Sequence, residues 1–417
     1  MKKRFLALAL ALAMVLPLGT LSAAAEDEGT PAAPAADAAG TLSFENLSGR
    51  MLENYYPLLA LGENIQTVED FDYERQENDL RDMLNKLADG MAYQQAIAAA
   101  EAANGNAVGA AAITAAGAQL QTQYDALRET FNHVTSGDMR KDNEALGRQL
   151  RNMRDQTVIV GESLYITYKE LEAGDAAAER AVAQLERMNR EMTLRSELGQ
   201  VSELTAQQTA AGLAQAKSGQ ATLRMNKDNI CLQLKAMTGV GLDEPLTLGA
   251  LPSVTAQQLA DMDLEADLAK AKEASYELFD AKKTYDDALD AYNDAVRTYG
   301  YYSKGNGMMS ATHTWQAAQY TYENAGQAYE LKFRALYAKV KDCAQVLESK
   351  RTALALEQEE YEASALKFEQ GAISANAFAD AQDALAEAKD AVSGAARDLF
   401  STYRSYCWAV EYGILNS

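Results

Sequence analysis

Two histidines, three cysteines and two tryptophans are the residues of this 417-residue chain best suited to metal, redox or ligand chemistry. His133 and His313 each stand beside an expected turn. Neither has a ligand-type side chain at i+3 or i+4, the step that puts two metal ligands on one face of a helix. Cys231, Cys343 and Cys407 lack metal-ligand spacing, and an odd number excludes full internal pairing. All three sit in helical patterns beside apolar residues, which predicts buried free thiols. There is no G-x-S-x-G, no phosphate-binding glycine loop and no H-E-x-x-H. The chain reads as a non-enzyme that needs no metal or cofactor. Trp315 and Trp408 would suit a ligand platform, but Trp408 adjoins Ala409 on an apolar seam and reads as core. Tyr299-Gly300-Tyr301-Tyr302 reads either as an interfacial aromatic belt or as a turn packed by its own tyrosines.

A different kind of signal comes from a segment that occurs twice, 172 residues apart. Leu194-Arg195-Ser196-Glu197-Leu198-Gly199-Gln200-Val201-Ser202 is matched by Leu366-Lys367-Phe368-Glu369-Gln370-Gly371-Ala372-Ile373-Ser374. The match continues at Leu213/Leu385, Ala214/Ala386, Ala216/Ala388 and Lys217/Lys389. Each copy reads as a long helix, a tight turn and a second long helix. Gly199 and Gly371 end the first helix, and Ser202 and Ser374 cap the next.

Long helices must hold these turns. Only six prolines occur, none between Pro57 and Pro245, so little interrupts helix formation. The expected helices are 43–53, 64–103, 107–133, 139–198, 203–238, 255–299, 311–369 and 375–412, with a linker over 246–253. In the last helix Phe378, Leu385, Val392, Leu399 and Tyr406 recur every seven residues. Ala381, Ala388, Ala395, Thr402 and Ala409 follow three positions later, completing a heptad seam. Leu354, Tyr361 and Phe368 supply a facing seam, and Ala216, Leu223, Ile230 and Met237 keep the same step in the first hairpin. Relative to the seam, Asp380, Asp383, Glu387 and Asp390 fall on the far side and should face water. Asp286-Asp287 and the acids of 357–362 read as solvated helix faces. No segment alternates as a strand does, so the fold class is all-α, built from two repeats of long antiparallel coiled-coil hairpins.

The N-terminus reads as a secretory signal. Lys2, Lys3 and Arg4 precede an apolar run from Phe5 to Val15, and Ala23-Ala24-Ala25 supplies the cleavage site. Residues 26–40 are an Ala/Pro leader, too poor in large apolar groups to fold. The two repeats then span 41–253 and 254–417. The net charge is −22, and loss of the three signal cations makes it −25. That opposes binding to nucleic acid or anionic lipid.

The turns and their flanks resemble the TolC-like outer-membrane efflux family. Phe368, Gly371, Ile373, Ser374 and Asp380-Ala381-Gln382 carry the likeness in the second copy, and Gly199, Val201 and Ser202 in the first. Leu234-Lys235-Ala236-Met237-Thr238-Gly239 is similar to the family's repeat end. The resemblance implies a homotrimeric helical tunnel in the cell envelope. Its tips, Gly199, Val201, Ser202, Gly371, Ile373 and Ser374, would dock an adaptor protein, and a separate inner-membrane transporter would supply the energy. Asp380 falls where the family places an acid at the tunnel's constricted entrance, while Ala377 occupies the other such position. The transported substrate would be an exported solute. Outer-membrane members insert two β-strands per repeat at the end far from the turns. Here residues 300–310 leave room only for a turn and 104–138 read as Ala-rich helix, so barrel strands are expected to be missing. The competing readings are an exported α-helical pore-former acting through Ala107–Ala118, and a cell-surface coiled-coil spacer.

Overall fold

The computed structural model describes residues 37–415 apart from Ala39. The expected signal segment and all but the last residues of the leader lie outside the described residues.

The fold is all-α. Four helices form two long hairpins: α5 (Asp138–Glu197) with α6 (Glu203–Thr238), and α10 (Asn306–Glu369) with α11 (Ala375–Tyr412). Before α5 come α1 (Phe44–Asn54), α2 (Tyr56–Glu69), α3 (Tyr73–Ala103) and α4 (Ala107–Thr135). Between the hairpins lie α7 (Ala256–Ala260), α8 (Leu264–Ala274) and α9 (Tyr276–Tyr299). Strands among the described residues are two two-residue pieces, β1 (Thr41–Leu42) and β2 (Thr247–Leu248), paired in parallel. A strand that crosses a bilayer needs about 9–11 residues. The stretches where the resemblance would place barrel strands are helical hairpins instead, α3–α4 and α9 with the first part of α10. None of the described helices is long and apolar enough to cross a membrane.

Several helix limits differ from expectation. The helix expected over 64–103 is broken at Asp70–Asp72, where Asp72 caps α3 by accepting from the Arg75 amide. The one expected over 255–299 is three helices. Thr255 caps α7 with a full capping box, Asp263 caps α8 and Ser275 caps α9. Conversely, α5 runs unbroken through Gly174, and α10 starts five residues earlier than expected. Ser43 sits at the N-cap of α1, but its side chain makes no capping bond.

Two tyrosines organise the core where the hairpins join. Tyr165 of α5 is fully buried, and its hydroxyl lies 2.9 Å from the Leu42 carbonyl and 3.0 Å from that of Gly249. Tyr329 of α10 is also fully buried, 3.0 Å from the Ala271 carbonyl and 3.1 Å from that of Gly413. Each hydroxyl has one proton, so the two carbonyls share it. Each tyrosine ties its long helix to the chain entering its half and to the chain leaving a hairpin's second helix. Desolvation raises the ionisation of both phenols well above the ordinary tyrosine range. At Gly413 the helix ends with φ 67°, and an added Cβ would lie 2.3 Å from the Ser275 backbone. The break at Ser275 and the end of α11 therefore fit only without a side chain between them.

On this basis Tyr329→Phe should lower stability by about 1 kcal/mol, through the lost hydrogen bond alone. Tyr329→Ala should cost about 3–5 kcal/mol by leaving a cavity. Denaturant titration followed by circular dichroism would check both, and equal losses for the two variants would contradict the shared-proton role.

Candidate functional site: the paired turns and the helix interface behind them

The two turns close in the same way. Helix α5 ends with the Gln200 amide donating to the Arg195 carbonyl at 2.8 Å and Gly199 donating to Ser196 at 3.0 Å. Helix α10 ends with Ala372 donating to Lys367 at 2.8 Å and Gly371 to Phe368 at 2.9 Å. This paired closure requires a left-handed residue, and Gly199 and Gly371 have φ 74° and 70°. Open space surrounds both glycines, so conformation rather than crowding selects them. Ser202 Oγ then accepts from the Thr205 amide and Ser374 Oγ from the Ala377 amide, each at 3.2 Å. Val201 and Ile373 are half-buried, and the two serines are exposed. Leu194, Leu198 and Leu204 stay exposed around the first turn, and Leu366 and Phe368 around the second. Phe368 stacks on Phe378 with ring centroids 4.7 Å apart and planes 5° apart, closing the second hairpin just behind its turn.

The turns sit level because α5 and α11 pack antiparallel in a fixed register. Arg187 pairs with Asp383 at 2.5 Å, and one heptad back along α5 Arg180 pairs with Asp390. Twelve residues onward from Arg187 along α5, and twelve back from Asp383 along α11, lie Gly199 and Gly371. Asp383 and Asp390 were expected to face water. They are instead the acidic side of an ion-pair ladder, because α11 packs on α5 as well as on α10. Glu387 and Asp380 are exposed, and no ion pair reaches Asp380 among the described residues. The site residues read from the turns thus form two equivalent constellations at one end of the molecule. Asp380 stands nine residues behind Gly371 on the same hairpin.

Sequence reasoning missed the node that anchors this register. Glu162 of α5 is 4% exposed. Arg404 of α11 grips it with two hydrogen bonds, Nε donating at 2.9 Å and Nη2 at 2.8 Å, and Trp408 Nε1 donates at 2.8 Å. The guanidinium also lies 5.0 Å from the Trp408 ring centroid. A fork-shaped donor pair on a buried carboxylate, with a third donor from the indole, satisfies every charge that was buried. Burial would depress the basicity of Arg404, but the bonds and charge of Glu162 outweigh it and raise its pKa. One signal was present in the sequence: an acid within a helix face otherwise lined by Val158 and Tyr165.

The histidines and thiols stand apart from the turns. His133 Nε2 lies 3.3 Å from Asp142, and His313 is exposed inside α10 rather than beside its start. The cysteines are free, as expected, but half-buried rather than buried. Burial pushes the Cys231 and Cys407 thiols up, toward the unreactive protonated form. No group of three or more His, Cys, Asp or Glu among the described residues could hold a metal ion. Trp408 is core, as its seam position implied, although its indole also serves the node.

If the node carries the register, Glu162→Leu or Arg404→Met should each cost about 3–5 kcal/mol by stranding a buried partner. The double variant Glu162→Leu/Arg404→Met should recover much of that loss. A double-mutant cycle from urea titrations checks this, and simple additivity would contradict the coupling.

Several solved structures share this architecture. One, described as a membrane protein from Pseudomonas aeruginosa, is 13% identical over 93% of this chain and 96% of its own, with a TM-score of 0.52. The outer membrane protein VceC from Vibrio cholerae is 11% identical over 88% of this chain and 96% of its own, with a TM-score of 0.50. CusC, described through its transmembrane channel formation, is 13% identical over 89% of this chain and 96% of its own, also at 0.50. No sequence-family model and no curated protein sequence matches the chain. At these identities the likeness shows the fold, which is the TolC-like helical fold.

Proposed function

We propose that the chain is a subunit of an oligomeric helical tunnel in the cell envelope, working in efflux or secretion and docking an adaptor protein through its two turns. The observation that carries this reading is the duplicated turn. Two turns with the same backbone closure and the same serine cap stand level at one end, each rimmed by exposed large apolar side chains. A spacer has no need of two matched, apolar-rimmed ends. In this reading Gly199, Val201, Ser202, Gly371, Ile373 and Ser374 meet the adaptor, and Asp380 lines the entrance behind them. An inner-membrane transporter supplies the energy, and the solute passes without chemistry on the protein. The chain assembles as a homotrimer, since one copy has too few long helices to enclose a lumen, and the two repeats divide near residue 253. Export by the N-terminal signal places it in the envelope. The TolC-like fold, shared with proteins described as outer-membrane and channel-forming, supports this reading. The net negative charge opposes binding to nucleic acid or to anionic lipid.

The test is capture of the cognate adaptor. Gly371→Val should strain the reversal by about 1–2 kcal/mol and weaken capture, with helicity kept. Ile373→Glu combined with Val201→Glu should abolish capture with less effect on folding. Undiminished capture by that double variant would reduce the turns to helix punctuation. Solution mass that stays monomeric across micromolar concentrations would contradict the tunnel.

A further inference from the structure

We infer that the cavity between α5 and α11 beside the Glu162 node holds a small zwitterionic solute, an amino acid or a short peptide, by its two charged ends. The solute's carboxylate meets Arg397 and its ammonium group meets Glu170. Arg397 stands one heptad from Asp390 and one from Arg404, so it takes the next position of the ladder along α11. One heptad back from Arg180, the same register sets Ala173 opposite it. The neighbouring acids of α5 are engaged elsewhere. Glu172 holds Lys169, and Asp175 holds Arg224 and Lys227 of α6. Arg397 therefore has no carboxylate partner among the described residues, in a chain whose acids outnumber Lys and Arg by 60 to 38. Its Nε is shielded from solvent and makes no hydrogen bond. A shielded cationic donor of this kind is costly unless an acceptor reaches it, and a ligand carboxylate matches the planar fork of a guanidinium.

The cavity supplies the other groups. Its volume is about 270 Å³. Pockets for drug-sized ligands run from roughly 300 to 1,000 Å³, so this one suits a solute of amino-acid or dipeptide size. Arg397 lines it from α11 and Glu170 from α5, and no ion pair joins them or reaches Glu170 among the described residues. Hydroxyls line the same two walls. Ser163 and Ser401 make no side-chain hydrogen bond among the described residues, so they are free to donate to a carboxylate. Thr167 and Ser405 donate to the carbonyls of Ser163 and Ser401, which leaves their oxygens to accept from an ammonium group. Arg404 already meets the charge of Glu162. The charges left over are Arg397, Glu170 and Asp398, a balance that favours a zwitterion over a simple anion. Every lining residue belongs to α5 or α11. The other flank of the node is covered by α1 and the segment 252–258, with Phe44, Pro252 and Gln258 around a second cavity. In the tunnel reading, on which the role of this solute as cargo rests, the uncovered flank faces the lumen. A site on a conduit must release what it binds, so the binding is weak.

The experiment is ligand-observed NMR on the chain from residue 26 onward. The probes are L-leucine and L-alanyl-L-alanine, with acetate and methylamine as single-charge controls. Both probes should bind saturably, and each control should bind roughly tenfold more weakly. Arg397→Met should weaken probe binding roughly tenfold, and Glu170→Gln should weaken it while leaving acetate binding no weaker. Arg351→Met, an exposed cation of α10, should change nothing, and helicity should stay the same in all three variants. No saturable binding, probe binding unaffected by both cavity variants, or acetate binding as tight as that of L-leucine would overturn the inference. So would stability coupling between Arg397 and Glu170 without any ligand, which would make them a direct pair. These readouts need neither adaptor nor trimer. Loss of solute binding with adaptor capture intact would therefore remove this inference alone, and the reverse result would remove the docking reading alone.

Discussion

The buried contact of Glu162 with Arg404 and Trp408 is the constraint on which the rest of the molecule depends. It joins α5 of the first hairpin to α11 of the second deep in the core. Long helices packed along an apolar seam can slide by a heptad at modest cost, since one leucine replaces another. A buried carboxylate cannot slide, because one step of displacement would leave it without its three donors. Specificity of register, more than net stability, is what such a contact supplies.

From that fixed point the ladder of Arg180–Asp390 and Arg187–Asp383 carries the register outward along α5 and α11. These pairs are partly exposed, and each contributes little alone. Their effect is geometric, since pairs seven residues apart agree on one alignment. The consequence is that two turns separated by 172 residues of chain come level. At the other end the same α5 start receives α3 through Tyr73 and α9 through Lys283, which aligns the hairpins that project there. Both ends of the molecule are therefore set by contacts to one helix.

Much of this was legible locally. Glycine at a helix end, serine three residues on and a heptad of large and small residues are short-range signals, and the turns and α11 follow from them. The breaks at Asp70–Asp72 and Ser275 lack glycine or proline. Ser275 breaks the helix because Gly413 must pack against its backbone and Tyr329 must reach two carbonyls there, which are contacts from 54 to 138 residues away. Asp383 and Asp390 were misread because one seam was visible in α11. The helix packs on two neighbours, so positions remote from the first seam belong to the second. Glu162 showed only as an acid on an apolar helix face, and its role was hidden for a related reason, since its partners lie more than 240 residues on. The aromatic ladder of Tyr285, Tyr292, Trp315 and Tyr322 shows the same heptad step and becomes a pattern only once α9 and α10 are folded against each other.

The central claim is that the α5–α11 register sets the two turns level. Distance measurement between spin labels at Gln200 and Ala372, both exposed beside the turn glycines, tests it most directly. The account predicts a single narrow distribution in the native chain. It further predicts a broadened or shifted one when Arg180 and Arg187 are both changed to Ala with the fold retained. Multiple populations in the native chain, or an unchanged distribution after the ladder is removed, would contradict it.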